Sequence, residues 1–323
     1  MGTFLKLIRW KSILVATLVM FLMKYAIIIP VYRYYDVVPG LSDTGFFFLI
    51  MASMFILAGG NVINDYFDRK TDTINRPEKV LVGFTVNRRK AIFLHSAFTF
   101  LGVVFGVITA WFTGKIIVGL YFFFISLLIW IYSYNLKKKA LAANITLSFL
   151  VALIPLTVGI TEYYALEKSL SEWDINTARA IKMAFQTIIG FSIFTFLINL
   201  MRELIKDCQD FIGDYKTGIK SVPIVIGKKN TNFLISIISM LSIVYLVLMW
   251  EAYLSKLVFF QGDMIARIYI YCVLIAPLLV LSIRSVWGNK IIKYRRLNIL
   301  TKFIMFFGVL FSIIFSFAIY GKI

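Results

Sequence analysis

Nine apolar runs of about 20 residues divide this chain. They fall at roughly 12–32, 43–63, 91–112, 116–134, 143–162, 181–201, 231–252, 266–286 and 301–320. Each is long enough to cross the hydrocarbon core of a bilayer as a helix. Lipid offers no partner to an exposed N–H or C=O, so such a chain is held to an α-helical bundle. The expected fold class is all-α membrane, with about nine transmembrane helices. Composition agrees, at 60% hydrophobic residues and a mean hydropathy of +0.87. The first run passes from Ile13 to Lys24 without a small-residue cleavage site, so it reads as a retained span.

A formal charge of +18 in a soluble protein would point to nucleic acid. Here there is no basic domain and no recognition motif, and no nucleic-acid partner is expected. The basic residues instead alternate between loops. They are dense before the first run (Lys6, Arg9, Lys11) and after the second (Arg69, Lys70, Arg76, Lys79, Arg88, Arg89, Lys90). They are dense again after the fourth (Lys137, Lys138, Lys139), the sixth (Arg202, Lys206, Lys216, Lys220, Lys228, Lys229) and the eighth (Lys290, Lys293, Arg295, Arg296). The loops between carry little, or the mixed set Glu162, Glu167, Lys168, Glu172 and Asp174. Because the basic side faces the cytoplasm, this pattern predicts a cytoplasmic N-terminus and an odd number of spans.

Acids are concentrated in two places. Asp65, Asp68 and Asp72 follow the second run at i, i+3 and i+7, and Asp207, Asp210 and Asp214 follow the sixth with identical spacing. On a helix that spacing puts three carboxylates on one face, where they repel unless cations lie between them. Oxygen-only clusters of this kind can share a hard divalent cation with a substrate phosphate. Both triads fall on the expected cytoplasmic side. Their matching positions suggest that a four-span unit occurs twice, at about 12–134 and 143–286, within a single polytopic domain of residues 1–323.

Around the acids lie groups suited to a metal–diphosphate. Asn64 offers an amide oxygen, and Arg76 follows the first triad in Asn75-Arg76-Pro77. In the second segment Arg202 and Lys206 sit four apart; Arg presents a fork to phosphate oxygens and Lys a point charge. Glu203 is expected only to bridge within the helix. The stretch Tyr132-Ser-Tyr134-Asn-Leu-Lys137-Lys138 ends the fourth run, where the aromatic belt and the positive-inside rule already account for Tyr and Lys. His95 is the only histidine, which excludes His-based metal or triad chemistry. Cys208 and Cys272 match no metal or redox spacing and read as packing.

The paired motifs Asn64-Asp-x-x-Asp-x-x-x-Asp72 and Asp207-x-x-Asp-x-x-x-Asp214 resemble those of the UbiA superfamily of intramembrane prenyltransferases. Within it, Arg202-Glu-Leu-Ile-Lys-Asp207 through Gly218-Ile-Lys-Ser-Val-Pro223 is similar to the digeranylgeranylglyceryl phosphate synthase branch, with Gln209 replacing a common Glu. The resemblance implies helices around a central apolar chamber, Mg2+ as cofactor, and a prenyl diphosphate and a lipophilic acceptor as partners. It assigns Asp65, Asp68, Asp72, Asp207, Asp210 and Asp214 as metal ligands. It assigns Asp65, Asp68, Asp207, Asp210 and Lys137 to catalysis, and Asn64, Arg76, Arg202, Lys206 and Arg9 to substrate. The family's Tyr…Lys motif falls on Tyr132 with Lys137 or on Tyr134 with Lys138. Arg9 resembles the Arg that opens many members, with Ser12 where an Asn is usual.

The implied reaction is Mg-dependent prenyl transfer within an integral membrane protein of the cell or inner membrane. The acceptor expected from the branch is geranylgeranylglyceryl phosphate. An aromatic ring, as in quinone or haem O biosynthesis, is the alternative acceptor, and a membrane transporter the alternative class. The acids lie at span ends rather than at the midplane, which argues against transport.

Overall fold

The computed structural model describes residues 2–170, 172–287 and 291–321. Lys290 and the side chain of Lys79, counted above among the basic loop residues, lie outside that description. Among the described residues, nine helices are long and apolar enough to cross a membrane. They are α1 (Trp10–Tyr34), α2 (Asp43–Asn75), α3 (Arg88–Thr113), α4 (Ile116–Lys138), α5 (Ala140–Ser169), α6 (Ile175–Thr217), α7 (Gly227–Lys256), α8 (Met264–Val286) and α9 (Lys293–Tyr320). Each contains one of the nine runs read from the sequence, or nearly all of it.

Local chemistry sets the ends. Ser42, Asn87 and Asp174 cap α2, α3 and α6, each side-chain oxygen accepting a backbone N–H of the first turn. Gly114 and Gly218 stop α3 and α6 in the left-handed region, at φ 70° and 74°.

α2 and α6 are the inner pair. Burial covers 56% and 50% of their apolar windows, against 17% for α3. α2 packs on α3, α4 and α6, while α6 packs on α5, α7, α9 and α1. α9 returns to α1 and closes the bundle. Outer helices turn large apolar side chains outward, such as Phe93, Trp111 and Ile265, as a lipid-facing surface requires.

The inner helices are also the longest, with 33 and 43 residues. They run past the apolar windows that end near residues 63 and 201, and so carry both acid triads on continuous helix. Glu203 is buried and bridges Arg202 and Lys206 on its own helix, as expected.

Three sequence readings change. Glu162, read as part of a loop, lies inside α5 and is 2% exposed. Its carboxylate accepts the N–H groups of Gly40 (2.7 Å) and Leu41 (3.3 Å) in the α1–α2 loop. Lys24, a cation inside the first apolar run that the sequence left without a partner, is buried within α1 and donates to the Leu41 carbonyl and to Asp43. Together they pin the α1–α2 loop onto the bundle end remote from the triads. Cys272 is exposed on α8 rather than packed, whereas Cys208 is buried.

Candidate active site

The distal ends of α2 and α6 are locked side to side. Thr71 and Thr217 hydroxyls meet at 3.2 Å. Asn75 donates to the Asp210 carbonyl at 3.0 Å and accepts the Gly213 N–H at 2.9 Å. Arg76 pairs with Asp210 at 2.6 Å. The two triads are thereby held at one mouth. Both outer acids, Asp72 and Asp214, feel the charges of the same two lysines, Lys137 and Lys206.

Three of the six acids meet a cation, which relieves part of the like-charge repulsion along each helix face. Asp65 pairs with Arg9 at 2.5 Å. The chain makes that reach by a left-handed turn at Arg9 (φ 52°, ψ 52°), between a short N-terminal helix, Gly2–Leu7, and α1. A non-glycine residue in this region is uncommon and carries a conformational cost. Asp68 pairs with Lys137, which also donates to Asn64 Oδ1 at 2.9 Å. Asn64 Nδ2 returns to Asp68 at 2.9 Å, closing a three-residue ring of contacts. Asp207 is held by a neutral amide, Asn144 Nδ2, at 2.9 Å. Asp72 and Asp214 make no ion pair among the described residues.

Tyr132 and Tyr134 stand in different surroundings. Tyr132 is buried where the charges of Glu203, Asp68, Asp207 and Arg9 all reach it. Tyr134 is exposed, stacks on Trp130 at 5.4 Å between centroids, and has the Lys138 ammonium 5.9 Å from its ring. Arg202 is directed to Glu203 and to Asn199 Oδ1, and Lys206 to Glu203. Neither makes a direct contact with a triad carboxylate among the described residues.

Asn144, Asn199 and Gly213 enter the site unannounced by the sequence. Asn144 and Asn199 are buried single amides in apolar helices, with no motif around them. Their one signal is a polar side chain at a helix position otherwise given to lipid or packing. Among the described residues no three His, Cys, Asp or Glu side chains converge as a closed metal cage. Mg2+ does not need one, because it keeps waters and is commonly held by one or two carboxylates together with substrate phosphates. The all-oxygen donors of the two triads fit that mode.

The family model described as the UbiA prenyltransferase family matches residues 14–307. The digeranylgeranylglyceryl phosphate synthase of Methanosphaera stadtmanae is 27% identical over 308 residues, covering 95% of this chain and 98% of the relative. That of Methanosarcina mazei is 30% identical over 283 residues, 85% of each chain. With the Pyrococcus horikoshii enzyme the identity is 29% over 212 residues, and the chain spans 66% of that relative's length. A solved digeranylgeranylglyceryl phosphate synthase shares the fold at TM-score 0.64 and 19% identity, over 98% of both chains. A UbiA homologue from Archaeoglobus fulgidus, solved with DMAPP and Mg2+, superposes at TM-score 0.55 with 18% identity, over 99% of this chain and 100% of its own. With the family model matched from the first span into the last, this chain is an integral membrane protein and belongs to the UbiA prenyltransferase family.

Proposed function

We propose that this chain transfers a prenyl group from a prenyl diphosphate to geranylgeranylglyceryl phosphate, in a Mg2+-dependent reaction at the mouth between α2 and α6. The observation that carries the reading is the α2–α6 lock, which sets the two acid triads side by side with Arg76 on Asp210, while Arg9 and Lys137 meet Asp65 and Asp68. The acceptor class is supported by likeness to two digeranylgeranylglyceryl phosphate synthases, over 98% and 85% of their lengths.

Asp65, Asp68 and Asp72 from α2, with Asp207, Asp210 and Asp214 from α6, are the groups that would hold the metal. When bound, Mg2+ supplies charge neutralisation to the departing diphosphate. The chain's own cations share that task. Arg9, Arg76, Lys137, Arg202 and Lys206 bring forks and point charges to the non-bridging oxygens. As the C1–O bond breaks, its electron pair leaves with the diphosphate and C1 becomes an allylic cation. Tyr132 and the apolar side chains beneath the mouth exclude water that would quench this cation. The acceptor hydroxyl oxygen then bonds to C1 and passes its proton to the released diphosphate.

The basic-loop pattern puts this mouth on the cytoplasmic face of the cell membrane, with the N-terminus on the same side. The residues at about 12–134 and 143–286 form two copies of a four-helix unit, each carrying its triad on an extended second helix. An aromatic ring carbon remains the competing acceptor.

The test is prenyl transfer by the purified protein in detergent, with and without Mg2+. Labelled geranylgeranyl diphosphate is offered with geranylgeranylglyceryl phosphate and, in parallel, with 4-hydroxybenzoate, dihydroxynaphthoate and haem B. Mg2+-dependent product with the glyceryl phosphate is the expected result. Product only with a ring acceptor overturns the acceptor class and keeps the chemistry.

A further inference from the structure

Asn144 is 3% exposed near the start of α5, and its two amide atoms are in different situations. Nδ2 donates to Asp207 Oδ2 at 2.9 Å. Oδ1 is buried and has no hydrogen-bond partner. With the NH2 group turned to Asp207, the amide oxygen is the atom left facing away from that carboxyl. Its backbone opens a run of polar contacts along the α5–α6 seam. Its carbonyl receives the Ser148 hydroxyl at 2.6 Å, Ser148 Oγ receives Asn199 Nδ2 at 3.3 Å, and Asn199 Oδ1 receives Arg202 at 3.3 Å. The polar seam between α5 and α6 therefore holds one amide oxygen, beside an acid of the second triad, with an unmet demand for a hydrogen-bond donor.

Buried polar groups in a native fold are nearly always satisfied, and one left open inside a reaction site is suited to a ligand. We propose that Asn144 is a specificity-determining contact, holding Asp207 through its N–H and offering its amide oxygen to the free hydroxyl of the acceptor substrate. This rests on the prenyl-transfer reading and deepens it. An amide oxygen accepts the O–H without taking its proton, so it fixes the direction of the hydroxyl lone pair that bonds to C1. The contact selects an alcohol acceptor over one that reacts at a ring carbon. The same O–H chemistry could come from a bound water, and the experiment separates the two.

The test measures binding of geranylgeranylglyceryl phosphate and of its deoxy analogue, the free hydroxyl replaced by hydrogen, to the full chain in detergent. Wild type is expected to prefer the hydroxyl form by about tenfold, the worth of one well-made hydrogen bond in a buried site. In Asn144→Leu and Asn144→Ser the preference falls to about one. Mg2+-dependent binding of the prenyl diphosphate is measured on the same samples, to report loss of the Asp207 clamp separately. A preference that survives in both variants assigns the amide oxygen to water and overturns the contact. Absence of the preference in wild type overturns it whether or not the variants fold. If wild type binds neither ligand, the proposed acceptor class fails and the contact fails with it.

Discussion

Asn75 and Gly213 are joined across the mouth at 2.9 Å, and a Cβ added at 213 would stand 2.3 Å from the Asn75 amide nitrogen. No such separation is tolerated between heavy atoms, so Gly213→Ala must push Asn75 out and take Arg76 with it. The expected result is a fall in kcat/KM of about 10–100-fold, since small displacements of positioning groups cost that much. Steady-state kinetics check this, and wild-type constants in Gly213→Ala would show that the lock is not needed.

Arg9 meets Asp65 through one guanidinium nitrogen, carried on a left-handed backbone, which leaves the rest of the fork for substrate oxygens. Arg9→Lys keeps the charge and loses the fork. The Kd for the prenyl diphosphate in Mg2+ is expected to rise about tenfold, with Arg9→Ala weaker again. Equal affinity in all three proteins would remove Arg9 from the substrate site.

Asp68, Lys137 and Asn64 form one closed set of contacts. Asp68→Ala and Lys137→Ala are each expected to lower kcat by about 100-fold or more. The double variant should be little worse than either, because residues acting as a unit are not additive. Fully multiplicative losses in a double-mutant cycle would mean that the two act separately.

Glu162 serves the far end of the bundle. In Glu162→Gln one carboxylate oxygen becomes an NH2 group, so either Gly40 or Leu41 loses the acceptor for its N–H. Leaving one buried N–H unmet costs about 1–3 kcal/mol. A lowered Tm with unchanged KM values is the expected pairing. Altered KM at unchanged Tm would tie this end to substrate instead.

Chelation with EDTA is expected to abolish transfer, and added Mg2+ to restore it. Thermal melts give an independent reading: Mg2+ and prenyl diphosphate together should raise Tm more than the sum of each alone, because each completes the other's ligand set. Strict additivity of the two shifts would separate the metal from the diphosphate.

The spans were legible because hydropathy over about 20 residues needs no knowledge of neighbours. The triads were legible because a helix turns i, i+3 and i+7 to one face whatever it packs against. What the sequence withheld is which cation meets which acid. Arg9 and Asp65 are 56 positions apart, Asp68 and Lys137 69, and Arg76 and Asp210 134, so only the assembled bundle makes these pairs. Which of Tyr132 and Tyr134 is buried likewise follows from which face of α4 turns inward. Glu162 was misplaced for a related reason. Its charge ends an apolar run by composition, yet the N–H groups of Gly40 and Leu41 make a buried site for it. Asn144 was missed because a single amide has no pattern until Asp207 stands beside it.

The 43 residues of α6 make a rod about 65 Å long, roughly twice the depth of the hydrocarbon layer. Its acids lie beyond the apolar window that ends near residue 201, on the same unbroken helix. A lipid with a charged head and a prenyl tail can reach such an enzyme by drifting sideways in its own leaflet, with neither end changing solvent. The concentration that governs the reaction is then the mole fraction of substrate in the surface, not its molarity in the tube. For the proposed lipid acceptor, diluting the membrane with inert lipid is expected to slow transfer, and diluting the suspension with buffer is not.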